Sequence, residues 1–254
     1  MSVPAGPNYE TMRHSLTVAF LLLALPAAAR EKLPAGFVYL RDVAPGIAQE
    51  IRYATPNNFT AAALPGYDAP ECVLRRDAAE ALARVEADLE RRHLRLKTYD
   101  CYRPERAVRA FWRWSHDGTR DGDKRFYPNE DKLRLFSLGY IAAHSRHSTG
   151  TAVDITLVPL GAPAAPARET SGPCTAPAAL RAPDNSLDMG TGFDCLDVKS
   201  YTRSAAVTPE QRRARETLRA AMSAHGFHNY FREWWHYEFT GVALHTYDFP
   251  IERR

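Results

Sequence analysis

The chain has 254 residues, 45% of them hydrophobic and 25% charged, which is enough to bury a large core and excludes a disordered or fibrous polymer. Its net charge of +3 arises from basic residues scattered among nearly as many acids, so nucleic acid is not an expected partner. The densest basic stretch, Arg212-Arg213-Ala214-Arg215, falls in an expected helix and reads as its solvated face.

The N-terminus is the first informative segment. Arg13 and His14 precede an apolar run from Leu16 to Leu25, followed by Pro26-Ala27-Ala28-Ala29. This basic, apolar, A-x-A order predicts a secretory signal over residues 1–29, cleaved after Ala29, with Met12 as an alternative start. The run is shorter than the roughly 20 apolar residues a bilayer span needs. A buried N-terminal helix and an uncleaved anchor are the other readings. On the first reading the mature chain, 30–254, is periplasmic or secreted and keeps no stable membrane insertion.

Export changes how the four cysteines are read. Cys72, Cys101, Cys174 and Cys195 are even in number, none sits in a C-x-x-C, and an oxidising compartment favours disulfides over a thiolate metal site. Three pairings are open; Cys72–Cys101 with Cys174–Cys195 is favoured because each pair brackets one contiguous stretch.

Residues 37–60 read as short extended pieces ending in the turn-rich Thr55-Pro56-Asn57-Asn58. Asp77 is placed to cap a helix running to about Arg92, with Ala79, Leu82, Val85 and Leu89 on one face. His93 to Tyr99 alternates as a strand. Pro104 suits the opening of a helix carrying Val108, Phe111 and Trp112. Thr151 to Val158 predicts a strand with Val153, Ile155 and Leu157 on one face and Ala152, Asp154 and Thr156 on the other. Residues 159–187, rich in Ala, Pro, Gly and Ser, read as a long surface loop inserted in the domain. Thr208-Pro209-Glu210-Gln211 is a capping box with Pro in first helical position, Gly226 closes that helix, and Tyr230 to Phe239 favours a strand. Helices mixed with short strands, without a βαβ rhythm, predict an α+β fold: one domain with a central antiparallel sheet flanked by helices.

Two segments carry the chemistry. A zinc peptidase needs three nitrogen or oxygen ligands, an open fourth position, and a carboxylate to take a proton from water. H-E-x-x-H, the helical way of arranging these, is absent. Present instead are Ser145-Arg146-His147-Ser148-Thr149-Gly150-Thr151-Ala152-Val153-Asp154 and, far downstream, Glu233-Trp234-Trp235-His236. Asp154 lies on the polar face of its strand, where an unpaired carboxylate is costly. Gly150 permits a turn that brings His147 back over that face, and His236 can arrive from a neighbouring strand. Glu233 and His236 differ by three and would face oppositely on a regular strand, so Glu233 is expected at a bend or strand entrance. The other seven histidines have no compelling partner and read as structural or exposed.

The motif S-x-H-x-x-G-x-A-x-D followed by E-x-W-H resembles that of the LAS-type zinc peptidases, which share a fold with hedgehog signalling domains. More narrowly, the chain is similar to the D-alanyl-D-alanine dipeptidases of the VanX type. The segments carrying that likeness are Arg52-Tyr53-Ala54-Thr55-Pro56-Asn57-Asn58-Phe59-Thr60, Asp100-Cys101-Tyr102-Arg103-Pro104 and Met189-Gly190-Thr191-Gly192-Phe193-Asp194, in family order. The export signal, the cysteines and the 159–187 insertion depart from the family pattern without removing a chemical group.

The resemblance implies one Zn²⁺ per chain on His147, Asp154 and His236, with Glu233 as general base and then general acid, and Arg103 stabilising the tetrahedral oxyanion. It offers Asp194, Tyr53, Tyr67 and Ser145 as grips on the charged ends of a small D-amino-acid dipeptide, and makes Asp100 and Pro104 parts of a shaped turn. The implied activity is hydrolysis of D-alanyl-D-alanine to two D-alanines by metal-activated water, in turnover of peptidoglycan peptides. The rivals are a zinc carboxypeptidase or endopeptidase acting on longer wall peptides and a non-enzymatic, zinc-stabilised wall-binding module, which would not need Glu233 or Arg103. A disulfide-stabilised wall-binding protein without metal is the most distant reading.

Overall fold

The computed structural model describes residues 1–4, 6, 33–164, 171–241 and 245–254. The apolar run and cleavage site of the expected signal lie outside the described residues. The chain divides into two units, Met1–Glu31 and Lys32–Arg254, and all the secondary structure described belongs to the second.

That unit is built around a five-stranded sheet in the order β2 (Ala48–Gln49), β4 (Leu94–Asp100), β5 (Ala152–Pro159), β7 (His236–Phe239) and β6 (Phe227–Asn229). Pairing is antiparallel as expected, except at the edge, where β2 runs parallel to β4. A parallel neighbour requires a crossover connection. Here it passes through β3 (Val73–Arg75) and helix α2 (Arg76–Glu90); β3 also forms a small antiparallel pair with β1 (Phe37–Tyr39). A single-turn helix α1 (Leu40–Val43), helix α3 (Glu105–His116) and helix α4 (Pro209–Ser223) complete the elements used below.

The apolar spacings explain the layers. Val153, Ile155 and Leu157 on β5 are fully buried, as are Leu82, Val85 and Leu89 on α2 and Leu218 and Met222 on α4, and these residues share one core. Each large aliphatic side chain so buried contributes about 1.5–3 kcal/mol. Helix α4 begins with the expected capping box: Thr208 Oγ1 accepts from the Gln211 N–H, and the Gln211 side chain accepts from the Thr208 N–H. Asp77, by contrast, is not the cap of α2. β3 runs straight into that helix, and the Arg75 and Arg76 N–H groups donate to the Gly150 and Gly36 carbonyls. Asp77 sits in the first turn, where a negative charge complements the helix dipole. Pro104 stands one residue earlier than expected, at the N-cap of α3, whose Val108 and Phe111 are buried while Trp112 faces out and stacks on His116.

One expectation gains an addition and another fails. The described part of 159–187 beyond Pro159 is a loop, largely exposed or half-buried, but it is tied down at its later end. Cys174 is bridged to Cys195, the Leu187 N–H donates to the Leu157 carbonyl, and Asp184 accepts from Lys97 at 2.8 Å and Tyr99 at 2.6 Å. The later part of the insertion thereby covers Lys97 and Tyr99 at one end of the sheet face opposite α2, and Ala152, Asp154 and Thr156 on that face are as buried as the residues that alternate with them. Arg215, expected on a solvated face, is 1% exposed. Its guanidinium donates to three backbone carbonyls, those of Met189, Lys199 and Tyr201, at 2.6–3.1 Å, which satisfies a charge that burial would otherwise make prohibitive.

Candidate metal centre and active site

The site lies where the sheet's register lines up three acidic and basic side chains. Asp154 pairs with Asp100 of β4 on one side and with His236 of β7 on the other, so the three are cross-strand neighbours. Simple alternation along β4 would put Asp100 beside Leu96 and Thr98, facing the helices. A register shift between Thr98 and Asp100 turns it onto the site face instead.

His147 reaches the same place from a 3-10 turn, Arg146–Thr149. Ser145 caps that turn by accepting from the His147 N–H at 3.2 Å, and Gly150 ends it at φ 73°. A Cβ at Gly150 would lie 2.3 Å from the Phe37 ring, so both the backbone angle and the space demand glycine. Glu233 is in the turn before β7, where Asn229 donates to both the Glu233 and His236 carbonyls. Only His236–Phe239 of the expected 230–239 strand is extended, and the bend ahead of it brings Glu233 Oε2 to 3.9 Å from His236 Nδ1.

Three donor atoms converge. His147 Nε2 lies 3.0 Å from His236 Nδ1 and 3.3 Å from Asp154 Oδ1, and His236 Nδ1 lies 3.1 Å from Asp154 Oδ1. Tetrahedral ligands about 2.0–2.1 Å from one zinc ion are about 3.3 Å apart, so this triangle fits one face of such a shell. The opposite side of each ring is engaged as well: His147 Nδ1–H donates to the Cys101 carbonyl at 2.7 Å, and His236 Nε2 lies 3.4 Å from Glu238. Those partners fix the tautomers, and two ring lone pairs and a carboxylate oxygen then face one another, an arrangement a cation between them stabilises. A zinc ion therefore fits the residues present.

The surrounding cavity, about 180 Å³, is also walled by Tyr53, Arg103, Ser145, Asp194, Glu233 and Glu238. Arg103 donates to Asp100 at 2.9 Å, lies 3.7 Å from Asp154, and rests on the rings of Tyr53 and Phe111. Tyr53 donates to Asp194 at 2.7 Å, and both line the cavity. Tyr67 is elsewhere: it lies behind this wall and donates to Asp100 at 2.6 Å, so it touches the fully buried carboxylate beneath Arg103 and not the cavity.

The excess of carboxylates is visible in their acidities. Burial pushes Glu233 up to about 7, with Asp154 adding to the rise and His236 and Arg103 opposing it. Asp194 is held well above the usual carboxylate range by burial and by Asp154. Asp154 is held far below it, because His147 and His236 outweigh its burial. His236 is raised to about 10 despite burial, through Asp154 and Glu238, so this cluster strongly favours a positive charge.

Sequence reasoning brought His147, Asp154, His236, Glu233, Arg103, Asp194, Tyr53 and Ser145 to this cavity, and it missed three contributors. Glu238 follows His236 by two residues, the strand period, which was a usable signal. Asp100 precedes Arg103 by three and holds it from outside the cavity lining, a role that its place in an expected turn does not reveal. His144, set aside with the other histidines, lines the cavity mouth and carried no sequence signal. The two expected disulfides are both formed, with Cα–Cα separations of 5.3 Å for Cys72–Cys101 and 5.5 Å for Cys174–Cys195. Among the described residues no helix is long and apolar enough to cross a membrane.

Known proteins resemble this chain over most of its length. The family model described as D-ala-D-ala dipeptidase, peptidase M15, matches residues 34–165 and 161–252. A D-alanyl-D-alanine dipeptidase of Streptomyces coelicolor is 35% identical over 218 residues, covering 85% of this chain and 98% of that protein. Its counterpart in Enterococcus faecium is 30% identical over 220 residues, covering 85% and 98%, and that of Escherichia coli is 31% identical over 206 residues, covering 81% and 86%. With the family model matched over most of its length and relatives 30–35% identical across more than four fifths of it, the chain belongs to the D-Ala-D-Ala dipeptidase family, peptidase M15.

Proposed function

We propose that this protein is an exported zinc dipeptidase that hydrolyses D-alanyl-D-alanine to two D-alanines, in turnover of peptidoglycan peptides. The observation that carries this is the triangle of donor atoms, 3.0–3.3 Å on its edges, opening on a cavity that also holds Glu233 and Arg103 and is closed by Asp194. Two disulfides fit an oxidising compartment, which is also what the expected N-terminal signal would require.

His147, Asp154 and His236 would hold one Zn²⁺. When bound, the ion supplies Lewis-acid charge that polarises a carbonyl and brings the pKa of water down to about 7. Glu233 takes the proton of the attacking water and passes it to the departing amine. Asp100 engages Nε and one terminal nitrogen of Arg103, which leaves donors of that five-donor group for the oxyanion developing on the peptide carbonyl. Asp194, oriented by Tyr53, accepts the free ammonium of the dipeptide in a charge-assisted bond. Tyr53 and Ser145 complete the grip on the substrate, and Tyr67 serves from behind by holding Asp100.

The test is zinc-dependent release of D-alanine from D-Ala-D-Ala, compared with the N-acetylated dipeptide and with an acylated stem peptide. The free dipeptide should be preferred in kcat/KM by about tenfold or more, since an acylated nitrogen leaves Asp194 buried without its partner. Equal efficiency on all three would favour a carboxypeptidase acting on longer wall peptides. Zinc-loaded protein that cleaves none of them would overturn the reading.

A further inference from the structure

We propose that the Cys72–Cys101 disulfide is a positioning element of the metal centre, setting zinc affinity through the one carbonyl that orients His147. This rests on the reading of His147 as a metal ligand.

Cys101 directly follows the register shift that ends β4, where the chain leaves its ladder with β5. From there the segment 100–103 wraps His147. The Asp100 carboxylate lies 3.4 Å from His147 Nδ1, the Cys101 carbonyl accepts from the same nitrogen at 2.7 Å, and the Arg103 N–H donates to the His147 carbonyl at 3.2 Å. The Cys101 contact is the shortest of these, and it decides which ring nitrogen carries the proton and therefore that Nε2 faces Asp154 and His236.

What holds that carbonyl in place comes from the other side. The Cys101 sulfur is bonded to Cys72, and the neighbouring Tyr102 N–H donates to the Val73 carbonyl at 2.9 Å. Cys72 is itself anchored, its N–H donating to Gln49 at 2.8 Å and its carbonyl accepting from Leu40 at 2.9 Å. Both cysteines are buried, at 0% and 1% exposure, so the bridge is shielded from solvent reductants. It is a fixed clamp, made during oxidative folding. A chain folded without it would keep every metal ligand but lose the covalent hold on the group that orients one of them.

The molecule contains its own control. Cys174–Cys195 closes a loop of similar size, 21 residues against 29, so its loss should perturb the unfolded chain to a similar degree. It adjoins Asp194 and makes no contact with a donor atom of the triangle. Zinc dissociation constants are measured by chelator competition on folded protein for the wild type, Cys72→Ala/Cys101→Ala, Cys72→Val/Cys101→Ala and Cys174→Ala/Cys195→Ala. Folding is checked by circular dichroism, and no peptide substrate is involved.

The expected result is zinc affinity lowered about tenfold or more in the variants lacking Cys72–Cys101, with wild-type affinity when Cys174–Cys195 is removed. Wild-type affinity in a folded variant lacking Cys72–Cys101 would overturn the proposal, as would an equal loss on removing either bridge. So would failure of both Cys72–Cys101 variants to fold while the other double variant folds, because the bridge would then determine the fold and not the setting of one ligand. A wild type that binds no zinc would remove the reading of His147 as well, whereas dipeptide hydrolysis is untouched by the other outcomes.

Discussion

The two walls of the candidate active-site cavity, the one carrying the three residues that could hold a metal (the metal wall) and the one opposite, rest on different foundations. The metal wall is made by register: Asp154 and His236 face each other across β5 and β7, and His147 arrives on a tight turn closed by Gly150. The opposite wall lies outside the sheet. Asp194 has a left-handed backbone, φ 58°, in a stretch without regular structure, and it is held by Tyr53, by the disulfide at Cys195 and by the carbonyls that Arg215 gathers from residues 189–201. Strand register and a capped turn place the first wall, with the Cys72–Cys101 bridge behind His147, whereas the second has no strand beneath it and is held by side-chain contacts and a bridge. Damage to either should therefore show in different observables.

The largest effect is expected within the metal wall. Glu233→Ala should lower kcat by about 10²–10⁴-fold with zinc still bound, whereas His147→Ala should lose zinc and activity together. Metal analysis beside kinetics separates the two, and metal lost equally from both variants would erase the distinction drawn between ligand and base. On the other wall, Arg215→Met should cost about 3 kcal/mol of stability, because the carbonyls of Met189, Lys199 and Tyr201 lose their donor. Thermal unfolding reads that loss. Below the midpoint the variant should bind zinc normally and show a raised KM, and a zinc defect there would mean that the walls are not independent.

A smaller and more selective effect is expected at Asp194. Asp194→Ala should raise KM for the free dipeptide about 10- to 100-fold, following the 1–3 kcal/mol of a buried charge-assisted contact, and it should abolish the preference over the N-acetylated form. Retained preference would take Asp194 out of ammonium recognition. The smallest effect concerns the later part of the insertion. Asp184 is held below the usual carboxylate range by Lys97, Tyr99 and Arg52, even though burial raises it. A depressed folded-state value means that the carboxylate stabilises the fold above its unfolded value, about 4, and that this contribution disappears as pH falls through the lower folded value. The stability gap between wild type and Asp184→Asn should thus be full at pH 6 and shrink below about pH 4 in denaturant titrations. A gap independent of pH would mean that the ionised form contributes nothing.

Much of the metal wall was legible because its chemistry needs particular residue types at short spacings. His147, Gly150 and Asp154 lie within eight residues, and the parity of Glu233 and His236 already required a bend between them, which the structure contains. Tyr67 was misplaced for the opposite reason. A tyrosine near a motif can face the substrate or stand behind it, and only packing shows that this one donates to Asp100.

From the sequence alone followed the class of fold, the core faces of α2 and β5, the capping box of α4 and the residues able to hold a metal, because all of these depend on local periodicity or on the chemistry of single side chains. The tertiary structure decided what depends on partners far along the chain. It turned Asp100 onto the site face through a register shift, buried Arg215 among three carbonyls, and laid the later part of the insertion, at Asp184, over Lys97 and Tyr99. A polar side chain is stable in the interior only where hydrogen-bond partners await it. Those partners lie from 14 to 87 residues away for Arg215 and for the Lys97–Asp184 pair, a distance that no pattern of period two or 3.6 can register.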